Sequence, residues 1–181
     1  MTSVIKKSCF SLTNFNSNNT FPIKIDGAIS RFNNQLNIKY VLSNLATIII
    51  PQTNKISLRR YNLWEHTCFE FFLRIKDTTK YWEFNLAPSG NWNVFRFLNY
   101  RLNIAEEKAF EALPFDVSQD AKFLTVEVNV DLNKIVTANQ DLEVAVSTVV
   151  ENQDRELSYW ALTHPKSEAD FHHQDSFIIN V

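Results

Sequence analysis

The fold is decided by residues 63–100, which read LWEHTCFEFFLRIKDTTKYWEFNLAPSGNWNVFRFLNY. Three runs in this stretch, Thr67–Ile75, Tyr81–Ala87 and Trp92–Leu98, alternate in character from one residue to the next. Such alternation is typical of β-strands, because successive side chains of a strand point to opposite faces of the sheet. The three runs follow one another closely and therefore predict neighbouring strands of an antiparallel meander.

The segment Pro88-Ser89-Gly90-Asn91 links the second run to the third. Proline presets φ at the second position of a turn and glycine accepts a positive φ, so these four residues predict a tight hairpin. Strands paired in this way place an aromatic core on one face of the sheet. We assign to that face Phe69, Phe71, Leu73, Ile75, Trp82, Phe84, Leu86, Phe95 and Phe97.

The opposite face of this predicted sheet combines polar and amphipathic aromatic side chains. Charged side chains can hold hydroxyl groups through paired hydrogen bonds, and an aromatic plane can stack on a ligand ring. One interpretation is therefore a binding face for a hydroxyl-rich ligand, and the other is a solvated outer face with cross-strand Glu–Arg pairs. The predicted members of this face are Glu70, Tyr81, Glu83, Asn85, Trp92 and Arg96.

Length and composition predict one domain that spans residues 1–181. The chain has 181 residues, of which 45% are hydrophobic, and a formal net charge of −2. A chain of this length buries roughly 70% of its unfolded surface, so its core needs no disulfide or metal. The chain has no basic block, which argues against binding to nucleic acid.

The N-terminal residues favour a cytoplasmic location. Lys6 and Lys7 precede an asparagine-rich segment, residues 14–19, and not the apolar run of a signal peptide. The longest aliphatic run, Thr47–Ile50, is too short to cross a bilayer, so no membrane contact is expected. The two cysteines of the chain do not make a disulfide framework.

The remaining sequence predicts further strands and little helix. Gln35–Leu42, Ala121–Val130 and Leu142–Val150 alternate as strands do, whereas Ile104–Leu113 is rich in helix formers and Asp131 could open a helical turn. Short strands without repeated βα alternation are typical of antiparallel sandwiches. We therefore predict an all-β fold, a jelly-roll or immunoglobulin-like antiparallel β-sandwich with one or two short helical pieces. The open edges of such a sheet are the expected place for a homodimer contact.

Two segments resemble the bacterial DOMON-like proteins, a group related to the family 9 carbohydrate-binding modules. The resemblance covers nearly the whole chain and is most specific in these two segments. The first contains Trp64-x-x-Thr67-Cys68-Phe69-Glu70-x-Phe72-Leu73, Tyr81-Trp82-Glu83-Phe84-Asn85 and Pro88-Ser89-Gly90-x-Trp92. The second is Leu157-Ser158-Tyr159-Trp160-Ala161-Leu162-x-His164-Pro165 with Asp170-Phe171-His172-His173.

This resemblance implies a β-sandwich of carbohydrate-binding type that holds a ligand on one sheet face and its bordering loops. The ligand is usually a sugar and in some members haem. In sugar-binding relatives, tryptophans clamp the sugar while Glu, Arg and Asn bind its hydroxyls. By residue type and strand face, the positions that match these roles are Trp64, Glu70, Glu83, Asn85, Trp92 and Arg96.

Haem is not the expected ligand. The haem-binding relatives that transfer electrons use a Met and a His as axial ligands, and the only methionine of this chain is Met1. A haem held by His164 and His172 stays an alternative, because histidine alone can ligate haem iron. The sequence therefore predicts no cofactor.

Histidines cluster near the C-terminus of the chain. His164, Asp170, His172 and His173 lie within ten residues, and imidazole together with carboxylate suits a divalent ion. Adjacent histidines point to opposite faces of an extended chain, however, and the spacing fits no closed zinc motif. Hydrogen bonds that hold the loop and contacts to a ligand are the alternatives. We predict no metal site and place His164 and His172 at the rim of the ligand site.

Glu70 and Glu83 are the candidates for catalysis, because two carboxylates suffice for glycoside hydrolysis. We expect Arg96 on the same face to keep both ionised, which opposes the raised pKa that a general acid requires. The chain has no nucleophile elbow, phosphate loop or His-Glu-x-x-His motif. The sequence therefore favours a non-catalytic module for a carbohydrate or another small polar ligand. A structural or protein-interaction domain and a hydrolase are the alternatives.

Overall fold

The structure is a computed structural model and describes residues 6–16, 22–54 and 56–181. Residues 1–5, residues 17–21 with part of the asparagine-rich segment, and residue 55 lie outside the described part of the predicted 1–181 domain. The strands in the described part are β1 (Lys6–Asn14), β2 (Lys24–Phe32), β3 (Gln35–Ser43), β4 (Cys68–Ile75), β5 (Tyr81–Leu86), β6 (Trp92–Phe97), β7 (Ala105–Glu106), β8 (Phe115–Gln119), β9 (Phe123–Asp131), β10 (Leu142–Glu151), β11 (Leu157–Ala161) and β12 (Ile179–Asn180).

The strands form two layers. The first layer has the strand order β1-β2-β3-β9-β8, and the second has the order β7-β6-β5-β4-β10-β11, with β12 beside β10. All pairings between these strands are antiparallel. Strand β1 belongs to both layers, because residues 6–12 pair with β2 whereas Thr13 and Asn14 pair with β11. The sheet therefore curls over on itself, and the predicted all-β antiparallel sandwich is confirmed.

The main core lies between the two layers. Ile38 and Val126 of the first layer and Phe71 and Phe84 of the second are all completely buried within it. The rings of Phe71 and Phe84 stack with centroids 4.3 Å apart. Burial of each such side chain stabilises the fold by roughly 1.5–3 kcal/mol. Apolar and other residues alternate along many of these strands because one face of each strand packs into this core.

Tyr40 connects the two layers through the core. Its side chain is completely buried, and its hydroxyl donates a hydrogen bond of 2.8 Å to the backbone carbonyl of Glu70 in β4. A phenol buried without a partner would cost free energy, so this bond fixes the two sheets relative to each other. The backbone of Glu70 is thus held from the core side, while its side chain lies on the opposite face of β4.

The outer face of the second layer is also buried. A second aromatic cluster lies there, and Trp64 and Phe171 pack against it from two other segments. Strand β5 is consequently buried along its whole length. This covering turns the outer face into an interior. The cluster consists of Phe72, Tyr81, Phe95, Phe97, Ala145 and Phe177.

The helix predicted for Ile104–Leu113 is wrong. That segment contains the short strand β7 and turns, and Glu107 in it accepts a hydrogen bond of 3.0 Å from the indole of Trp82. The backbone N–H of Glu107 also donates to the carbonyl of Val94. These tertiary contacts override the local helix propensity.

The helical turn predicted at Asp131 is confirmed. A 3₁₀ helix spans Leu132–Lys134, and the Asp131 side chain accepts a hydrogen bond from the backbone of Asn133. Further 3₁₀ helices span Leu45–Thr47, Leu63–Glu65 and Gln174–Ser176. In the part of the chain that the structure describes, none of the helices is long and apolar enough to cross a membrane.

Candidate functional site

Two buried glutamates form the centre of the candidate site. Glu70 of β4 pairs with Asn85 of β5, and Glu83 of β5 pairs with Phe72 of β4. Glu70 and Glu83 are therefore diagonal neighbours on the outer face, as the alternation of the sequence predicted. Glu70 is only 2% exposed and Glu83 only 6%. The alternative of a solvated outer face is therefore wrong for these residues, because covering segments leave little of their surface exposed.

Glu70 has one carboxylate oxygen without a partner. Its Oε2 accepts a hydrogen bond of 3.3 Å from the hydroxyl of Ser147, whereas Oε1 is buried and has no hydrogen-bond partner among the described residues. Burial and the nearby charge of Glu83 raise the pKa of Glu70 well above its usual value. The neutral carboxyl form is therefore more favoured in Glu70 than in a free side chain, and this form can donate a hydrogen bond as well as accept one.

Glu83 is held by Asn85. The Asn85 amide donates a hydrogen bond of 2.9 Å to Oε1 of Glu83, and Asn85 itself is completely buried. Burial raises the pKa of Glu83 to about 7, although the Asn85 hydrogen bond and the charge of Arg101 act in the opposite direction. Glu83 therefore changes its charge near neutral pH. Asn85 is a positioning residue behind the cavity rather than part of its lining.

His172 approaches Glu83 from the loop that follows β11. Its Nδ1 atom forms a hydrogen bond of 2.9 Å with the hydroxyl of Tyr81, which also accepts the backbone N–H of Arg101 at 3.1 Å. We assign the Tyr81 hydroxyl as the donor to Nδ1, which leaves the ring proton on Nε2. Burial lowers the pKa of His172 to about 3, so the imidazole is neutral at neutral pH. Burial likewise raises the pKa of Tyr81 to about 12, so its hydroxyl keeps its proton.

Asp170 anchors the same loop. Its carboxylate accepts hydrogen bonds from the hydroxyl of Tyr100 at 2.6 Å and from Nη2 of Arg101 at 3.0 Å, and Nζ of Lys166 lies 3.2 Å away. The backbone N–H of His172 also donates to it. These contacts lower the pKa of Asp170 to about 2 despite its burial. The network fixes Arg101 and His172 beside the two glutamates.

These groups surround a cavity of about 510 Å³. The half-buried indole of Trp64 lies at its side and packs edge-on against Phe95, with ring centroids 5.9 Å apart. The cavity combines carboxyl groups, one guanidinium, one imidazole and aromatic walls. Its lining includes Trp64, Glu65, Glu70, Glu83, Phe97, Arg101, Tyr159, Phe171 and His172.

The predictions that Trp92 and Arg96 lie on the outer face with the glutamates are wrong. Strand β6 pairs with β5 so that Phe95 lies opposite Glu83, and Arg96 lies opposite Trp82. Directly paired residues share a face, so Phe95 points outward to the site and Arg96 belongs to the other face, where it is exposed. Trp92 is 3% exposed and belongs to the main core. The guanidinium carbon of Arg59 lies over the Trp92 ring, 4.3 Å from the ring centroid. Neither Trp92 nor Arg96 lines the cavity.

The other predicted residues divide into two groups. Trp64, Glu70, Glu83 and His172 lie together at the cavity. Tyr81 does not line this cavity but contacts His172, which does, and it lines a smaller neighbouring cavity of about 220 Å³.

His164 holds its loop against β1. Its Nε2 atom lies 2.8 Å from the carbonyl of Thr13, and its ring packs edge-on against Phe15. It lines neither cavity. No group of three or more His, Cys, Asp or Glu side chains that could hold a metal ion occurs among the described residues.

Sequence reasoning missed Arg101, Tyr159 and Phe171. Arg101 lies in a turn that carries no periodic pattern, so only the fold brings it to the glutamates. Tyr159 and Phe171 belong to the C-terminal segment that resembles the DOMON-like proteins, and this was the one available signal for them. Their rings pack together with centroids 6.1 Å apart beside the cavity.

The fold and the site define an antiparallel β-sandwich with an acidic, aromatic-walled cavity on the outer face of one sheet. The chain is similar in structure to a Bacteroides uniformis protein described as "a putative carbohydrate-binding protein", with a TM-score of 0.66 and 11% sequence identity. The similarity covers 94% of this chain and 84% of that one. At this identity the similarity concerns the fold. No family model matches the sequence, and no curated protein is significantly similar to it.

Proposed function

We propose that this protein is a non-catalytic module that binds a carbohydrate or another small hydroxyl-rich ligand in the cavity beside Glu70 and Glu83. The observation that carries the proposal is the cavity itself. It places buried carboxyl groups, the Arg101 guanidinium and the Trp64 indole around a space of about 510 Å³. Ligand sites are typically concave and mostly apolar, with a few convergent polar groups.

The architecture of the site supports this function. Carboxyl groups and a guanidinium provide acceptors and donors for hydroxyl groups, and aromatic planes cover the apolar faces of a sugar ring. The structural similarity to the Bacteroides uniformis protein agrees with a module of this kind. Membership of the DOMON-like group and a cytoplasmic location remain part of the proposal.

A thermal-shift screen with mono- and oligosaccharides tests the proposal. A ligand that binds only the native state at a hundredfold excess over Kd adds about 2.7 kcal/mol to the free energy of unfolding. We expect one sugar class to raise the melting temperature, and Trp64→Ala to reduce this shift by about half, because its binding should be about tenfold weaker. Arg96→Ala is the matched control and should retain it. A protein that responds to no compound in the screen would contradict the proposal and favour the structural or protein-interaction alternative.

A second candidate function is glycoside hydrolysis by Glu70 and Glu83. Arg96, which was expected to keep both glutamates ionised, lies on the other face of the sheet. Burial raises the pKa of Glu83 to about 7, which is the range that suits a general acid at neutral pH. Turnover of a glycoside panel that disappears with both Glu70→Gln and Glu83→Gln would establish this function. The absence of turnover by the purified wild-type protein would exclude it for that panel.

A further inference from the structure

The cavity lining carries more acidic than basic side chains. Glu65, Glu70 and Glu83 supply carboxyl groups, and Arg101 is the lining residue with a fixed positive charge among those the structure describes. That charge is already engaged, because Nη2 of Arg101 lies 3.0 Å from Oδ1 of Asp170. A negatively charged ligand would meet carboxylates without a free cation. A positively charged ligand would be attracted.

Glu70 supplies an independent sign of a missing partner. Its Oε1 atom is buried, has no hydrogen-bond partner among the described residues, and belongs to a residue that lines the cavity. A buried polar atom without a partner costs free energy that a ligand can recover. Glu83 lies diagonally across from it on the next strand. A donor that bridges the two carboxyl groups would satisfy this oxygen.

The walls of the cavity suit a positively charged donor. Trp64, Phe97, Tyr159 and Phe171 contribute aromatic rings to the lining. The faces of aromatic rings attract ammonium groups, and this attraction increases where water is excluded. Carboxyl groups and aromatic rings that line the same cavity together suit an amine.

We propose that the ligand carries a protonated amine, as an amino sugar does, and that this ammonium group lies between Glu70 and Glu83. This inference rests on the proposed binding function and specifies its ligand class. The ammonium donates to Oε1 of Glu70 and to Glu83. Hydroxyl groups of the same ligand face Arg101 and the imidazole of His172.

Titration calorimetry at neutral pH tests this ligand class with matched compounds. Glucosamine carries the amine, N-acetylglucosamine has the same ring with the charge removed, and glucose lacks the nitrogen. We expect glucosamine to bind about tenfold more tightly than either neutral sugar, which corresponds to about 1.4 kcal/mol. Galactosamine and mannosamine with their neutral counterparts extend the test to other ring stereochemistry. Butylamine serves as an amine without hydroxyl groups.

Variants of the carboxyl pair link the preference to the site. Glu70→Gln and Glu83→Gln keep the size of the side chain but remove its ability to become negative, so each should reduce the preference for the amine to less than about threefold. Glu127→Gln is the control, because Glu127 lies on β9 of the other layer and should not change it.

The outcomes separate the two proposals. Neutral sugars that bind as tightly as the amino sugars would overturn the amine inference and leave the binding function intact. If butylamine binds as tightly as glucosamine, the inference that the ligand is a sugar is wrong, whereas the inference that it carries an ammonium group stands. If none of these compounds binds, both the amino-sugar inference and the carbohydrate-binding function are wrong for these ligands. An amine preference that persists in both glutamine variants would place the ammonium elsewhere.

Discussion

The Nε2 atom of His172 lies 3.8 Å from Oε2 of Glu83, and both side chains are largely buried. The distance is too long for a hydrogen bond, so the imidazole is held mainly by Tyr81 on its other side. A neutral His172 therefore leaves most of the cost of burying the Glu83 charge uncompensated. In the free protein, Glu83 is therefore a buried carboxyl group whose negative charge a bound proton or a positively charged ligand would neutralise.

This burial predicts that Glu83 destabilises the free protein as the pH rises. Its pKa increases from 4.5 to about 7 on folding, so between these values the folded state holds a proton that the unfolded state has released. The favourable contribution is complete below pH 4.5 and is lost as the pH rises through about 7. Relative to wild type, Glu83→Gln should gain about 3 kcal/mol in free energy of unfolding across this window.

Urea denaturation of both proteins from pH 4.5 to 8 measures this difference. The titration of His172 occurs in both proteins and largely cancels in the comparison. Glu111→Gln, which changes an exposed glutamate, should show no comparable trend. A constant difference between Glu83→Gln and wild type across the window would mean that Glu83 ionises normally in the folded protein.

Trp64 and Trp92 should have opposite roles in stability and binding. Trp92 is 3% exposed in the main core, so its replacement by alanine should cost about 3–5 kcal/mol in stability. Trp64 is half-buried at the cavity, so Trp64→Ala should cost less stability but reduce ligand affinity about tenfold. Chemical denaturation and calorimetry with the ligand found by the sugar screen measure the two effects.

Trp92→Phe keeps the core filled and allows its binding to be measured in a folded protein. It should bind the ligand as wild type does. A loss of affinity in Trp92→Phe together with normal affinity in Trp64→Ala would reverse the assignment of the two indoles.

Arg96 and Arg74 should also differ, although both are arginines of the same sheet. Arg96→Ala should change stability by less than about 0.5 kcal/mol and leave ligand affinity unchanged, because Arg96 is exposed outside the cavity. Arg74 bonds Glu143 at 2.6 Å and lies over the ring of Phe177, so Arg74→Ala should cost about 1–2 kcal/mol. Parallel melting curves of the two variants check this order. Loss of ligand binding in Arg96→Ala would contradict the pairing of β5 with β6.

Asp170→Asn should weaken the loop that carries His172, and the effect should depend on pH. Folding lowers the pKa of Asp170 from 3.8 to about 2. Its stabilising contribution is therefore complete above pH 3.8 and is lost as the pH falls through about 2. At neutral pH the variant should be less stable by about 1–2 kcal/mol, after allowance for solvent screening of Arg101 and Lys166. Denaturation at pH 7 and pH 2.5 measures this loss. A deficit that is equally large at pH 2.5 would indicate a packing defect instead.

The hairpin between β5 and β6 explains why part of the site could not be predicted. A turn of four residues, 88–91, would pair Ala87 with Trp92 and place Glu83 opposite Arg96. In the structure five residues form the loop, Leu86 pairs with Trp92, and Glu83 lies opposite Phe95. A shift of one residue moves every side chain of a strand to the other face. Because β6 is buried on both faces except at Arg96, its hydrophobic pattern could not reveal the correct register.

The sequence by itself determined the features that depend on neighbouring residues. The alternation within β4 and β5 placed Glu70 and Glu83 on one face, and the frequent short strands indicated an antiparallel sandwich. The tertiary structure alone decided the register of β6, the burial of the outer face, and the position of Arg101 beside the glutamates. These features depend on contacts between distant segments, which a local period of two residues does not encode.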